Sequence, residues 1–154
     1  MLSEKLERFS PVGFFTAEVR EAGVRKGFEL ISLDGKRGLL SHQEINSPYR
    51  VGSYQVDVRS FEDFLDAIPW NHPQAQVVII DEIGKMECLS DPFKKIVKEV
   101  LDSEKWLIAT IAIKGSGLIA EIKKRKDIRL FTLTQKNRDQ LGMDILREMN
   151  ALLS

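Results

Sequence analysis

The chain has 154 residues, 43% hydrophobic and 30% charged, and its 23 basic and 23 acidic side chains balance to zero. That length suits one domain spanning residues 1–154 with a real core, and the charge balance excludes a global electrostatic case for nucleic acid or an acidic membrane. A lone Cys88 excludes an intrachain disulfide and a cysteine-based zinc site; no apolar run approaches the roughly 20 residues of a membrane span, and the charged opening MLSEKLERFS is not a signal peptide, so a cytoplasmic protein is expected.

Leu2, Leu6 and Phe9 share one side of a short helical pattern ending before Pro11, with no capping residue ahead of it, so the chain is expected to open inside a helix. Val12 to Val19 reads as a strand, Phe28 to Leu33 as a second and Arg37 to Ser41 as a short third, with Asp34-Gly35 as the hairpin turn between the last two. Asn46 to Gly52 reads as a loop, and Tyr54 to Val58 alternates like a strand. Phe61, Phe64, Leu65 and Ile68 have helical spacing, stopped by Pro69. Val77 to Ile80 is a continuous apolar run, as in a strand buried on both faces. A helix from Phe93 to Leu101, with Pro92 at its first turn, leads to a second buried strand, Trp106 to Ile113. The pattern then predicts a helix over Gly117 to Lys126, a strand over Ile128 to Leu133 and a last helix from Arg138 to Leu153. The second half thus alternates strand and helix and implies a parallel sheet covered by helices, while the first half is richer in antiparallel strands.

The run Val77-Val78-Ile79-Ile80-Asp81-Glu82 leads an apolar strand into two carboxylates, the outline of a Walker B strand. In parallel α/β sheets, ligands bind beyond the carboxyl ends of the strands, where these acids fall. Asp81 in that position can anchor Mg²⁺ through its water shell, and Glu82 can orient or deprotonate an attacking water. An apolar run followed by two acids is a permissive pattern, equally met in a solvated strand-to-helix turn. The string continues as Ile83-Gly84-Lys85-Met86-Glu87, where Gly84 permits a tight bend and Lys85 can contact phosphate or pair with Glu87 on the surface. No G-x-x-x-x-G-K-[ST] phosphate loop occurs between Met1 and Ser154.

With its neighbours, VVIIDEIGKME resembles the Walker B region of the THEP1-type nucleoside-triphosphatases, small P-loop NTPases. Gly13-Phe14-Phe15-Thr16-Ala17-Glu18-Val19-Arg20-Glu21, followed by Gly23, Arg25 and Gly27-Phe28, is similar to the family's GFxTxEVREgGxRxGF segment. Arg50-Val51-Gly52-Ser53-Tyr54 resembles its RVGxY segment, and Thr134 to Asp139 resembles its T-x-x-NRD start to the last helix. The matches stand in order along essentially the whole chain. The resemblance implies an α/β P-loop NTPase (RecA-like) three-layer sheet, here without its first strand and Walker A loop. It implies Mg²⁺-dependent hydrolysis of a nucleoside triphosphate such as ATP or GTP to the diphosphate and phosphate, with Asp81 organising the metal and Glu82 activating water. Thr16, Arg20, Arg25, Lys85, Arg50 and Arg138 become candidate nucleotide contacts by their place in the motifs.

The departure from the family matters chemically. Without the glycine-rich loop, the β and γ phosphates lack their backbone N–H cradle, the lysine and the hydroxyl ligand to Mg²⁺. This sequence is therefore expected to be impaired alone. Loss of a central strand also exposes sheet edges, which opens the alternative of a degenerate P-loop relative, a non-catalytic nucleotide-binding or interaction module that self-associates through such an edge.

The remaining features have plainer readings. Lys114-Gly115-Ser116-Gly117 is a connector, Thr110 a satisfied buried hydroxyl or a phosphate sensor, and Lys123 to Lys126 a solvated helix end. His42 and His72 read as surface residues, Cys88 as a small partly buried side chain, and Trp70 and Trp106 as packing residues. Nucleic-acid binding is not expected, because basic and aromatic residues do not interleave.

Overall fold

The computed structural model describes residues 6–153. Seven strands form one sheet in the order β4-β5-β3-β2-β1-β6-β7. Strand β1 (Val12–Glu21) and β2 (Val24–Ser32) make a long antiparallel hairpin, and β3 (Arg37–His42) continues it. The short β4 (Arg50–Val51) and β5 (Tyr54–Val56) close that antiparallel half. On its other side β1 runs parallel to β6 (Val77–Ile83), which runs parallel to β7 (Trp106–Ile111).

The β1–β6 seam is close. Gly13 has φ of +138° and stands opposite Ile79; a Cβ there would lie 1.8 Å from the Ile79 carbonyl oxygen, so no other residue fits without parting the strands. The next residue, Phe14, is fully buried and meets the rings of Phe61, Phe64, Trp70 and Phe93 at centroid distances of 5.9, 5.8, 6.3 and 6.4 Å, all edge-to-face.

Helix α1 (Val58–Asp66) starts at Asp57, whose side chain accepts from the Ser60 N–H, and buries Phe61, Phe64 and Leu65. Helix α2 (Asp91–Leu101) starts at Ser90, whose hydroxyl accepts from the Phe93 N–H, with Pro92 in its first turn. The same Ser90 hydroxyl donates to Glu62 at 2.7 Å, tying α2 to α1. Helix α3 (Leu118–Lys123) adds Leu118, Ile119 and Ile122 to this layer. Across the sheet, helix α4 (Arg138–Leu153) places Ile145, Leu146 and Met149 with Leu6 and Phe9 over Val77, Trp106 and Ile108. The result is a three-layer α/β arrangement, with an antiparallel extension on one side of a parallel centre.

The predicted strand over Ile128 to Leu133 is absent: residues 128–134 are non-helical and join no ladder. Residue type there suits a strand, but a strand also needs a neighbour, and the sheet ends at β7. Of the predicted N-terminal helix only the single 3₁₀ turn Glu7–Phe9 is seen; residues 1–5, including Leu2, lie outside the described residues. The predicted loop over Asn46 to Gly52 contains the short β4, because Arg50 and Val51 pair with Gln55 and Tyr54, and several boundaries move by a few residues. The second strand starts earlier, at Val24; Val58 opens α1 instead of closing a strand; and β6 runs on through Asp81 and Glu82 to Ile83.

Phe14→Ala removes the ring at the centre of this aromatic cluster. It is expected to cost about 3–5 kcal/mol of unfolding free energy, read as a lowered urea midpoint at unchanged slope.

Candidate active site at the end of strand β6

Pairing sets the acids' position. Phe15 of β1 stands opposite Asp81 in the last pair of the β1–β6 ladder, so the acids open where Thr16 and the rest of the hairpin project beyond that ladder. The ladder between β6 and β7 is regular from Val77 to Ile80 and shifts register before Ile83, so Asp81 and Glu82 occupy an irregularity rather than a turn. Strand alternation separates them. Asp81 faces the side of Val77 and Ile79 and accepts a 2.6 Å hydrogen bond from the Thr110 hydroxyl at the end of β7. Glu82 lies toward Gly84 and Glu87. Thr110 is therefore exposed and spent on Asp81, rather than buried as one sequence reading had it.

Gly84 is where the carboxyls converge. A Cβ on it would lie 3.0 Å from Glu82 Oε1 and 3.2 Å from Glu87 Oε1. Burial first, and then the Asp81 charge, raise the Glu82 carboxyl above its ordinary range. Glu87 is 3% exposed, and one of its oxygens, Oε2, has no hydrogen-bond partner among the described residues. Burial, followed by the charge of Glu82, lifts Glu87 from 4.5 to about 8, so it is predominantly a neutral acid at pH 7. The expected surface pair between Lys85 and Glu87 is not formed: Lys85 is exposed while Glu87 points inward, because the 3₁₀ turn Glu87–Leu89 packs against the sheet. Cys88 beside it is half-buried, and burial raises its thiol to about 11, which makes it a poor nucleophile.

The other candidates do not all gather here. Thr16 is half-buried on β1, one residue beyond the partner of Asp81. Arg20 is held on the hairpin by Glu18 at 2.7 Å and by the Gly23 carbonyl. Arg25 donates to the Tyr54 hydroxyl at 2.8 Å and lies over the rings of Phe28 and Tyr54. Glu18, drawn to both arginines, is held below its usual range chiefly by its hydrogen bond from Arg20. Arg50 on β4 and Arg138 at the start of α4 are exposed, at other places on the sheet and helix layers. Lys123 is not simply solvated: its ammonium donates to the carbonyls of Ala112 and Ile113 at 2.6 Å, pinning the chain after β7.

Sequence reading missed two features. One is the burial of Glu87, whose only signal is its place between Met86 and Cys88 ahead of the Ser90 cap. The other is a convergence of Glu21, His42 and Glu44. His42 is largely buried, with its Nε2 3.5 Å from Glu21. Its Nδ1 accepts from the Glu44 N–H, so in the neutral ring the proton sits on Nε2, the nitrogen a metal would need. In this structure the cluster is a hydrogen-bonded hairpin end.

The raised Glu87 links stability to pH. Its protonated form is favoured on folding, so this contribution is whole below about pH 4.5 and is lost as pH rises toward about 8. Glu87→Gln, uncharged throughout, is expected to flatten the fall in melting temperature between about pH 5 and pH 9, a difference on the order of a few kcal/mol at the alkaline end. Thermal melts of both proteins across that range check it; parallel curves would show that Glu87 does not titrate as its burial requires.

A family model described as "NTPase" matches residues 2–146. Nucleoside-triphosphatase THEP1 of Thermotoga sp. (strain RQ2) is 41% identical over 148 residues, covering 94% of this chain and 85% of the relative. A human cancer-related nucleoside-triphosphatase is 39% identical over 148 residues, covering 87% of this chain and 78% of that protein. The crystal structure of THEP1 from Aquifex aeolicus superposes with a TM-score of 0.79 at 34% identity, covering 95% of this chain and 88% of that one. The solution structure of a human cancer-related nucleoside triphosphatase gives the same TM-score at 37% identity, over 97% and 88%. With its acids at the end of a buried parallel strand and this likeness along nearly its whole length, the chain belongs to the THEP1-type nucleoside-triphosphatase family.

Proposed function

We propose that the chain takes part in Mg²⁺-dependent hydrolysis of a nucleoside triphosphate to the diphosphate and phosphate. The single observation that carries this reading is the ordered acid pair: Asp81 oriented by Thr110, and Glu82 beside it with its carboxyl raised toward neutrality. A water-activating base works best with a pKa near the operating pH, which is the direction in which Glu82 is moved. Asp81 fits a hard cation, because it is a carboxylate held in one orientation at an open strand end. Mg²⁺ bound there supplies neutralising charge for the phosphate oxygens. Thr16 and Lys85 lie closest in sequence and pairing to the acids and serve as polar contacts to the nucleotide; Arg20, Arg50 and Arg138 are outer contacts. One domain in the cytoplasm completes the reading; no helix among the described residues is long and apolar enough to cross a membrane.

The sequence holds no G-x-x-x-x-G-K-[ST] loop, so the phosphates have no dedicated cradle within these 154 residues. Turnover by the chain alone is therefore weak. A phosphate-release assay with ATP and GTP, with and without Mg²⁺, is expected to give a rate about 10²-fold or more below that of a relative carrying the loop. Glu82→Gln is expected to abolish what activity there is. A rate equal to the relative's would overturn the impairment, and turnover indifferent to Glu82→Gln would overturn the role of Glu82.

A second reading, a non-catalytic nucleotide-binding or interaction module, is favoured by one observation. β7 is an outer strand without a charged residue or proline, and Ala109 and Thr110 in it are exposed. Nearby in sequence, Ile113 is 91% exposed, Leu130 60% and Leu133 50%. Such an unprotected edge pairs readily with a second copy. Light scattering is expected to find a dimer or larger species that Ala109→Lys disperses; a monodisperse monomer at high concentration would remove this version.

A further inference from the structure

We propose that Glu87 is a positioning residue for Glu82: its buried carboxyl, through the Oε1 that shares the space over Gly84 with Glu82 Oε1, is the hydrogen-bond donor that fixes the Glu82 side chain against the bare α-carbon of Gly84. The inference rests on the reading of Glu82 as the group that orients water.

Three observations on separate residues meet at this point. The two Oε1 atoms flank the place where Gly84 lacks a side chain, at 3.0 and 3.2 Å from it, so both carboxyls occupy the same small space. Glu87 is almost wholly buried, and its Oε2 finds no partner among the described residues, which is costly for a polar atom in the interior and calls for an explanation. The groups bearing on Glu87 are Glu82, Asp81 and its own backbone, all but the last of them negative. On the helical side, Lys94 is engaged by Asp91, and the acid Glu62 accepts from Ser90; neither is among the groups bearing on Glu87.

A carboxyl in that setting keeps its proton. A neutral acid can donate to a neighbouring carboxylate, whereas an ionised one would repel it. The 3₁₀ turn that carries Glu87 is anchored by the Cys88 N–H donating to the Gly84 carbonyl and by the Ser90 N–H donating to the Glu87 carbonyl. Glu87 thus stands on a fixed platform, while Glu82, on the exposed strand end, needs a partner to hold one direction. Gly84 is the third part: a methyl group there would press on both carboxyl oxygens, which would have to give by a few tenths of an ångström.

The test compares wild type with Glu87→Gln, which keeps a donor in the same shape, and Glu87→Met, which fills the space without one. Replacing an orphaned buried polar group by an apolar one is compatible with folding, and Glu87→Leu serves as a second apolar variant. Crystal structures of the full chain at pH 6.5 are expected to keep Glu82 against Gly84 in wild type and Glu87→Gln. In the apolar variants Glu82 is expected to swing into solvent. Where phosphate release is measurable, the apolar variants are expected to lose about tenfold in kcat at unchanged KM, with Glu87→Gln restoring it to within a few-fold. Glu82 unmoved in the apolar variants, or displaced equally in Glu87→Gln, overturns the proposal. A displaced Glu82 together with turnover indifferent to Glu82→Gln overturns the water-activating role instead and leaves the positioning contact standing.

Discussion

Parallel pairing of β1 with β6 is the constraint on which the rest of the structure depends. It requires that residue 13 have no side chain, because the Ile79 carbonyl occupies that volume. Once the strands close, Phe14 is delivered into the ring cluster of α1, Trp70 and α2, and Phe15 is set opposite Asp81. One seam therefore registers the aromatic core and the acidic strand end together. The antiparallel hairpin is carried on the far edge of the same strand, so Thr16 and the Glu18–Arg20–Arg25 group are placed by it as well.

The chemistry at the strand end follows from an unbalanced set of charges. Three carboxyls, Asp81, Glu82 and Glu87, bear on one another with no cation paired to Glu87 among the described residues. Two outcomes are open to such a group: neutralisation by protons or by a bound cation. The structure divides them by depth. Asp81 lies on the open side, where it accepts a hydrogen bond from Thr110. Glu87, under the sheet, holds a proton. Glu82 lies between the two environments, and its carboxyl is shifted in the direction a base requires.

The far edge of the sheet is the place where pattern and fold part company. β6 is buried on both faces, as a continuous apolar run predicts, while β7, equally apolar, is half-buried and in part exposed. The apolar residues of the 128–134 segment stand in the same position: suited to a sheet, but with no strand alongside. Family likeness accounts for the order of the elements and the acids at the end of β6.

Much of this was legible from residue type and spacing alone. The Asp34-Gly35 hairpin, the buried β6, Pro92 in the first turn of α2 and the last helix follow from local rules, because turns, periodicity and helix starts are decided within a few residues. The acidic strand end and the family it belongs to were equally local, being contiguous strings. Tertiary structure alone decided the rest. Glu87 reads as a surface residue until the turn that carries it is packed against the sheet, and Thr110 reads as a core hydroxyl until β7 is laid beside Asp81. Arg20 and Arg25 read as nucleotide contacts or as surface, ion-paired residues until the hairpin folds them onto Glu18 and Tyr54. The physical reason is common to all of them: burial, pairing and pKa depend on which groups approach from distant parts of the chain, and no local pattern encodes that approach.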